Sequence, residues 1–252
     1  MIIGHLIKWI IKMEDVFKHE NALILVSGGQ DSITCLYWAL QKFNHVFAIT
    51  FMYGQKHSLE TKIAHDICQS LHIPIKSCDI SFIKDLVISN LFENRGDLNQ
   101  THSLNSDVPS SYVPYRNMLF LTLAAAWGST IGVKNLVTGV CQTDYSGYAD
   151  CRDGFIKSMQ VTLNLATDFK NHETIIHTPL MWLTKAEEFK LAEELGCLEV
   201  ILNKTLTCYY GITEMNDFGM GCGTCQSCQL RKKGYNQYVE KFATKSPFGK
   251  KI

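Results

Sequence analysis

The sequence has no excess of charge of either sign, because 24 Lys and Arg residues balance 24 Asp and Glu residues. This balance argues against a large nucleic-acid footprint, which ordinarily needs a basic surface. The apolar stretch at residues 1–12 falls far short of the roughly 20 residues that cross a bilayer, and it has no small-residue cleavage site. We therefore expect no direct nucleic-acid partner and no membrane span, and we predict that residues 1–12 are a dispensable extension.

Two common phosphate-binding motifs are also missing, since neither G-x-x-x-x-G-K-S/T nor G-x-G-x-x-G occurs. The chain has instead SGGQDS at residues 27–32, between an apolar run at 22–26 and a helical pattern at 33–40. A strand, a glycine turn and a helix start place backbone N–H groups and a positive helix end against a phosphate. Two glycines alone are typical of an ordinary tight turn, but the full hexapeptide after a strand favours an anion site. Asp31 there is expected to cap the helix or to hold Mg²⁺.

Apolar runs alternate with helical patterns along the chain. Strands are predicted at 22–26, 45–51, 75–80, 135–140 and 174–178, and helices at 33–40, 58–71, 82–91, 118–131, 154–166 and 185–195. This alternation predicts an α/β fold with a doubly wound parallel sheet, in which ligands bind at the carboxyl ends of strands. The polar segment at 93–114 is predicted to be a long loop that acts as a lid or a binding segment.

The predicted domain organisation is simple because the sequence has no internal repeat and no linker. We divide the chain into an N-terminal extension at 1–20, an α/β domain at 21–200 and a C-terminal metal-binding segment at 201–252. The last segment is expected to pack on the same domain.

Four of the ten cysteines stand at metal-ligand spacing: Cys208, Cys222, Cys225 and Cys228. Two-residue gaps let thiolates turn onto one tetrahedral cation, and four protein ligands leave no open position, so we predict one structural Zn²⁺. An iron–sulfur cluster also fits four cysteines and stays open, whereas a redox dithiol would leave two of them unexplained. The other six are scattered like the reduced thiols of a cytoplasmic protein. Arg231, Lys232 and Lys233 follow the last cysteine and are predicted to form a solvated helix face.

SGGQDS resembles the PP-loop of ATP pyrophosphatases, and further stretches make the resemblance more specific. They are YGQKH at 53–57, VPYRN at 113–117, GVCQTDYSGYADCR at 139–152, PLMWLTKAE at 179–187, TLTCYYG at 205–211 and CGTCQSCQLRKKG at 222–234. Together they are similar to the 7-cyano-7-deazaguanine synthase (QueC) family of the queuosine pathway, from residue 22 to about 238. The chain departs from the family pattern in three places. Tyr115 stands where a small residue, commonly Gly, is usual, Ala149 replaces a usual Pro, and the interval from Cys208 to Cys222 is longer.

The resemblance implies that 7-carboxy-7-deazaguanine, ammonia and ATP are converted into the nitrile 7-cyano-7-deazaguanine, a queuosine precursor. ATP adenylates the carboxylate, ammonia displaces AMP to give an amide, and a second ATP activates the amide oxygen for dehydration. It also implies Mg²⁺ bound with ATP, and a homodimer.

The resemblance further implies which residues form the site. The ATP-binding residues are those of the PP-loop and its flanks: Leu25, Val26, Ser27, Gly28, Gly29, Gln30, Asp31, Ser32, Ile33, Thr34 and Cys35. The candidate catalytic residues are Asp31, Ser32, Lys185 and Arg116, the last two supplying the cations that a Walker lysine would supply. The candidate substrate residues are Asp144, Tyr145, Asp150 and Arg152. Each of these side chains also fits a plain reading, as a surface charge or as a polar loop making its own turns. His57 is predicted to be a helix-start or core histidine and not a proton shuttle.

Three other interpretations stay open. A tRNA-modifying PP-loop enzyme would keep the adenylation but would need a basic surface, which the zero net charge disfavours. A relative of the family could pass the activated deazaguanine to another amine. A zinc-ribbon binding module without catalysis would leave SGGQDS unused.

Overall fold

A computed structural model of the chain describes residues 17–54, 59–92, 100–143, 148–168 and 173–243. The strands are β1 Asn21–Leu25, β2 His45–Met52, β3 Ile75–Asp79, β4 Thr101–His102, β5 Asn105–Pro109, β6 Asn135–Val137, β7 Ile175–His177, β8 Met215–Asn216 and β9 Gly219–Met220. The helices are α1 Gln30–Lys42, α2 Leu59–Ser70, α3 Arg116–Thr130, α4 Asp153–Leu165, α5 Lys185–Glu194, α6 Leu198–Lys204 and α7 Gln226–Lys241.

Five strands form one parallel sheet in the order β3-β2-β1-β6-β7. β1 lies in the middle, and its residues Ala22, Leu23 and Ile24 are fully buried because helices cover both faces of the sheet. Buried residues of α1, α2 and α5 pack on one face, and those of α3 and α4 pack on the other. The predicted α/β fold with a doubly wound parallel sheet is confirmed.

The chain order around β1 fixes where a ligand can bind. β2 follows β1 on one side, whereas β6 joins it on the other side after a long excursion of the chain. The strand order therefore reverses between β1 and β6, and the crevice outside their carboxyl ends is where open α/β sheets bind ligands. The SGGQDS turn leaves β1 at this crevice.

Two expectations for the middle of the chain need correction. The helix predicted at 82–91 is only a short 3-10 helix, Ser81–Asp85, and residues 86–92 have no helical structure. The segment predicted to be a loop contains an antiparallel hairpin of β4 and β5. Apolar spacing alone does not distinguish a short 3-10 turn from a longer helix, and the polar hairpin has no apolar alternation that predicts strands.

None of the helices within the described parts of the chain is long and apolar enough to cross a membrane.

Candidate active site

The SGGQDS turn is held in shape by its own hydrogen bonds. The Ser32 hydroxyl donates to the Gly29 carbonyl and accepts from the Ser27 amide, both at 3.1 Å. The two serine hydroxyls also lie 3.2 Å apart. Gly29 is the N-cap of α1 and no side chain caps this end, so the amides of the first turn face the crevice. The turn therefore has the geometry of a loop that can accept an anion.

Two glycines let neighbouring elements close on this turn. Gly28 has φ 84°, and a Cβ on it would lie 2.4 Å from the backbone oxygen of Glu60 in α2. A Cβ on Gly139, which follows β6, would lie 3.0 Å from the Asp31 carbonyl carbon and 3.1 Å from the Ser32 nitrogen. Helix α2 and the exit of β6 therefore enclose the turn from two sides.

A cavity of about 300 Å³ opens beside the turn. Its wall contains seven of the predicted ATP-binding residues, Leu25, Val26, Ser27, Gly29, Gln30, Asp31 and Ser32, together with Arg116. Residues outside the prediction also line it, among them Thr50, Phe51, Tyr53, Glu60, Asn117, Phe120, Thr138, Gly139, Cys151, Thr207 and Tyr209. Ile33 and Cys35 point instead into the core and are fully buried, and the Thr34 hydroxyl bonds to the Gln30 carbonyl.

Lys185 joins the turn from α5. Its ammonium nitrogen lies 2.7 Å from the Asp31 carboxylate and 2.9 Å from the fully buried Glu188 carboxylate. Thr184 caps α5 in a capping box with Glu187, as the sequence predicts for this position, so the start of the helix is fixed. Asp31 does not cap α1, because its carboxylate is turned to Lys185. The predicted cation and the predicted Mg²⁺ ligand are thus brought together.

Two polar side chains of the cavity wall lack hydrogen-bond partners among the described residues. They are the Gln30 amide, which is 1% exposed, and the Thr207 hydroxyl. A buried amide without partners costs free energy that a bound polar ligand would recover. Both groups therefore indicate that the cavity accepts a polar molecule.

Arg116 begins α3 and lies against Tyr53. Its guanidinium donates to the Tyr53 hydroxyl at 3.5 Å and stands 5.7 Å from the centre of that ring. Burial raises the pKa of Tyr53 to about 12. Burial also raises the pKa of the nearby Glu60 carboxyl to about 7, although the charge of Arg116 opposes this shift. The cavity therefore has a cation and a weakly acidic carboxyl on its α2–α3 side.

The predicted substrate residues are not all at the cavity. The Asp150 carboxylate accepts from the Asn117 amide at 3.0 Å, so it caps the first turn of α3 from outside the helix. Arg152 is exposed and is the N-cap residue of α4. Cys151, between them, does line the cavity. Asp144 and Tyr145, like His57, lie outside the described residues.

The four predicted metal ligands do come together. The Sγ atoms of Cys208, Cys222, Cys225 and Cys228 all lie within 4.8 Å of one another, and those of Cys222 and Cys228 are 3.9 Å apart. A Cβ at Gly221 would lie 2.6 Å from the Cys228 sulfur, so only glycine leaves room for the thiol there. This cluster could hold one metal ion.

The cysteine cluster is connected to the cavity through residues 205–208. The Leu206 amide donates to the Gly28 carbonyl at 3.1 Å, and Thr207, the residue directly before Cys208, lines the cavity. Arg231 stabilises this segment by donating to the Thr205 carbonyl, and it also donates to the carbonyls of Phe218 and Ile201. Arg231 is 2% exposed, so the prediction of a solvated face is wrong for Arg231, while Lys232 and Lys233 are exposed as expected.

Several residues that line the cavity were not predicted from the sequence. Glu60, Tyr53 and Thr207 come from three separate elements, and no motif with a known spacing joins them. Thr207 and Tyr209 lie within TLTCYYG, on either side of Cys208. Their place in this motif is the sequence feature that could have identified them as site residues. Glu60 has no signal in a single sequence, because it looks like any acidic residue in the first turn of a helix.

Comparison with known proteins identifies the family. The family model described as "Queuosine biosynthesis protein QueC" matches residues 21–239. A protein of Staphylococcus aureus (strain bovine RF122 / ET3-1) named 7-cyano-7-deazaguanine synthase is 47% identical over 228 residues, which cover 90% of this chain and 98% of that protein.

Solved structures are similar only at low identity. The U34-tRNA thiolase NcsA from Methanococcus maripaludis with its 4Fe–4S cluster has a TM-score of 0.49 at 14% identity, covering 97% of this chain and 72% of that one. NMN synthetase from Francisella tularensis has a TM-score of 0.48 at 14% identity, covering 95% and 93%. Likeness at this level carries nothing about chemistry. The family match, by contrast, spans nearly the whole chain, and the chain belongs to the QueC family of queuosine biosynthesis proteins.

Proposed function

We propose that this chain converts 7-carboxy-7-deazaguanine, ammonia and ATP into 7-cyano-7-deazaguanine, as an ATP-dependent ligase that forms a C–N bond. The observation that carries the proposal is the 47% identity to a relative of that name over nearly its whole length. The cavity at the sheet's switch point, with SGGQDS in its wall, supports the use of a nucleotide.

In this proposal the pyrophosphate end of ATP binds at residues 27–32. The amides at the start of α1 and the hydroxyl of Ser27 donate to the phosphate oxygens, while the Ser32 hydroxyl, which donates to the Gly29 carbonyl, keeps the turn in shape. Asp31 is the residue that would hold Mg²⁺, which when bound with ATP spreads the phosphate charge. Lys185, which contacts Asp31, supplies a further cation at the same place. Leu25, Val26, Gln30 and the first residues of α1 complete the nucleotide site.

The chemistry needs positioning more than covalent help from the protein. A carboxylate is a poor electrophile, and adenylation gives it AMP as a leaving group. Arg116 is the proposed partner for the negative charge that develops at the reacting carbon's oxygens. We propose that residues 144–152 contact the deazaguanine base, with Asp144 and Tyr145 as its polar contacts. The position of Cys151 in the cavity wall supports this placement. Asp150, which accepts from the Asn117 amide, positions the start of α3, and Arg152, the N-cap residue of α4, lies outside the cavity.

We propose that the metal held by the four cysteines is one structural Zn²⁺. Thiolates bound tetrahedrally to zinc at 2.3 Å lie about 3.8 Å apart, and the 3.9 Å between Cys222 and Cys228 agrees with this separation. In an iron–sulfur cluster each thiolate binds a different iron, so the sulfurs spread around a larger group. Metal analysis of the purified protein should find one zinc per chain, and stoichiometric iron with sulfide would contradict the proposal.

The proposed reaction has a direct assay. Purified protein with 7-carboxy-7-deazaguanine, ammonium and Mg-ATP should form the nitrile and release two AMP and two pyrophosphate for each nitrile. Ser32→Ala should reduce the rate by at least about 100-fold, because that hydroxyl organises the turn that binds the phosphates. ADP as the nucleotide product would contradict the assignment. AMP release without nitrile, in the presence of ammonium, would indicate another amine acceptor.

We also propose a cytoplasmic homodimer. The cysteines of the described chain form no disulfide bond, which supports a reducing compartment. Met118 and Tyr115 at the start of α3 are exposed, and they offer apolar surface to a second copy. Light scattering should give a mass of two chains.

A further inference from the structure

Two carboxylates, Asp31 and Glu60, line the described part of the cavity, and their surroundings differ. Asp31 is engaged by the Lys185 ammonium at 2.7 Å. Glu60 forms no ion pair with any described residue, and it stands on the other side of the SGGQDS turn, on α2. One carboxylate is thus committed to the phosphate end of the site, and the other is available for a different task.

Packing fixes the position of Glu60. Its backbone oxygen lies against Gly28, with no space for a Cβ between them, so the first turn of α2 packs directly on the SGGQDS turn. Arg116 from α3 and Tyr53 after β2 are the ionisable groups that face its carboxyl. Burial raises the pKa of Glu60 to about 7 and that of Tyr53 to about 12. Near neutral pH the Tyr53 hydroxyl therefore keeps its proton, while Glu60 exchanges one readily.

Amination of an acyl adenylate requires a proton acceptor. When the lone pair of ammonia forms the C–N bond, the nitrogen becomes positively charged and must lose a proton before it is a stable amide nitrogen. The bond between carbon and the AMP oxygen then breaks, and its electron pair leaves with AMP. In the second round, the adenylated amide loses an N–H proton while AMP departs, and the nitrile C–N triple bond is complete.

We propose that the Glu60 carboxylate is the general base of both amine steps, taking the proton from nitrogen and passing it to water at the cavity mouth. The proposal rests on the proposed function, because it needs an acyl adenylate in the cavity. It assigns the two carboxylates separate roles: Asp31 acts at the phosphates of ATP, and Glu60 accepts the proton from the reacting nitrogen. Glu60 would be a catalytic residue, since its carboxyl touches the reacting nitrogen.

The test separates adenylation from amination. Adenylation is measured without ammonia, as substrate-dependent exchange of labelled pyrophosphate into ATP, and amination is measured as amide and nitrile formation. Glu60→Gln should change the exchange rate by less than about threefold and should lower amination by roughly 10²–10⁴-fold, the usual contribution of a general base. The wild-type amination rate should rise with pH through about 7, and this inflection should be absent in Glu60→Gln.

Two variants and a second nucleophile control the test. Glu60→Asp keeps a carboxyl and should keep a pH inflection at a reduced rate, and it carries the test if Glu60→Gln does not fold. Asp66→Asn, an exposed carboxylate on the same helix, should leave both activities and the pH profile unchanged. Hydroxylamine is a weaker base than ammonia, so the positively charged nitrogen of its adduct is more acidic and loses its proton to water more easily. Its hydroxamate product should therefore be much less sensitive to Glu60→Gln.

Three results would overturn the proposal. Loss of exchange together with amination in both Glu60 variants would place Glu60 in nucleotide or acid binding. Wild-type amination and an unchanged pH profile in Glu60→Gln would exclude a proton role. A wild-type protein with no substrate-dependent exchange would overturn the proposed function, and this proposal with it.

Discussion

Tyr115, the N-cap residue of α3, has a strained backbone conformation. Its φ of 60° and ψ of 13° lie in the left-handed region, which a side chain with a Cβ disfavours by roughly 1 kcal/mol and which glycine adopts freely. The ring is 72% exposed, so its packing adds little to the stability of the fold. We expect Tyr115→Gly to raise the free energy of unfolding by up to about 1 kcal/mol, measured by urea denaturation.

The matched control for Tyr115 is Tyr115→Ala, which removes the ring but keeps the Cβ. If backbone strain is the cause, the alanine variant should not gain the stability that the glycine variant gains. Equal stabilisation by both substitutions would show that the ring itself is unfavourable and that the backbone conformation is not.

Gly139 controls the geometry of the SGGQDS turn from the next strand. A methyl group at this position would press on the backbone of Asp31 and Ser32 at 3.0–3.1 Å, so the start of α1 would have to shift by a few tenths of an ångström. Displacements of catalytic groups are expensive in rate, and we expect Gly139→Ala to lower kcat/KM for ATP by about 10-fold or more. Gly154→Ala is the control, because a Cβ there meets nothing within 4 Å, and it should leave kcat/KM unchanged.

At the residue scale, the sequence predicts what a contiguous motif carries. SGGQDS and the four cysteines lie where the motifs predict them, because a turn and a metal site depend on local spacing. Glu60 was not predictable, since its relation to Arg116 exists only after α2 and α3 have packed on opposite faces of the sheet. Arg231 was predicted wrongly for a similar reason: three backbone carbonyls from distant segments make its burial tolerable.

The segment from Leu206 to Cys208 is the element that joins the cysteine cluster to the cavity. Leu206 donates to Gly28, and Cys208 is one of the four clustered thiols, so loss of the proposed metal would free the segment that positions the turn. We expect Cys225→Ser to lose zinc, to lower the free energy of unfolding by several kcal/mol and to weaken ATP binding. The measurements are metal content, chemical denaturation and nucleotide titration.

Cys78→Ser is the control for the metal prediction, because Cys78 is a partly buried cysteine of β3 outside the cluster. It should keep full zinc and normal nucleotide affinity. A Cys225→Ser protein that kept its zinc would count against the four-cysteine site. One that lost zinc but bound ATP normally would show that the 206–208 segment holds its place without the metal.

The elements that could be predicted are those whose patterns are long or fully apolar. β1, β2 and the helices α1, α2 and α5 match their predicted ranges within a few residues, because each is a buried run or a clear amphipathic stretch. The 3-10 helix at Ser81–Asp85 and the hairpin of β4 and β5 are short and depend on neighbouring structure. α6 and α7 had no predicted counterpart, since their faces are defined by packing on α5 and around Arg231.

At the scale of the whole molecule, the N-terminal segment and the sheet edge are held together around His177. Its ring packs among Phe17, Trp38 and Phe43, at centre-to-centre distances of 5.1–6.0 Å. The Nε2 atom lies 3.0 Å from the Asn135 amide oxygen, and the Asn135 amide group donates to Glu20. The ring is therefore neutral in the folded protein, and burial lowers the pKa of His177 to about 4 from 6.5.

This lowered pKa predicts how stability depends on pH. Above pH 6.5 the ring is neutral in both states, so its contribution to stability is complete. As the pH falls from 6.5 towards 4, His177 binds a proton in the unfolded chain but not in the folded protein. The free energy of unfolding should therefore fall by roughly 2–3 kcal/mol. The hydrogen bond from Asn135 lowers the pKa of the Glu20 carboxyl below its usual 4.5, so Glu20 takes up its proton at a lower pH than an ordinary carboxyl does.

Urea denaturation at pH 4.5, 5.5, 6.5 and 7.5 tests this prediction, and comparing variants isolates the contribution of His177 from that of other acidic groups. His177→Gln should be less stable than the wild type at pH 7.5, because it loses ring packing, yet its stability should fall less between pH 6.5 and 4.5. His45→Gln, at an exposed position, should keep the wild-type slope. A His177→Gln protein with the wild-type slope would mean that the ring accepts its proton without breaking the contacts that join Phe17 and Asn135 to the sheet.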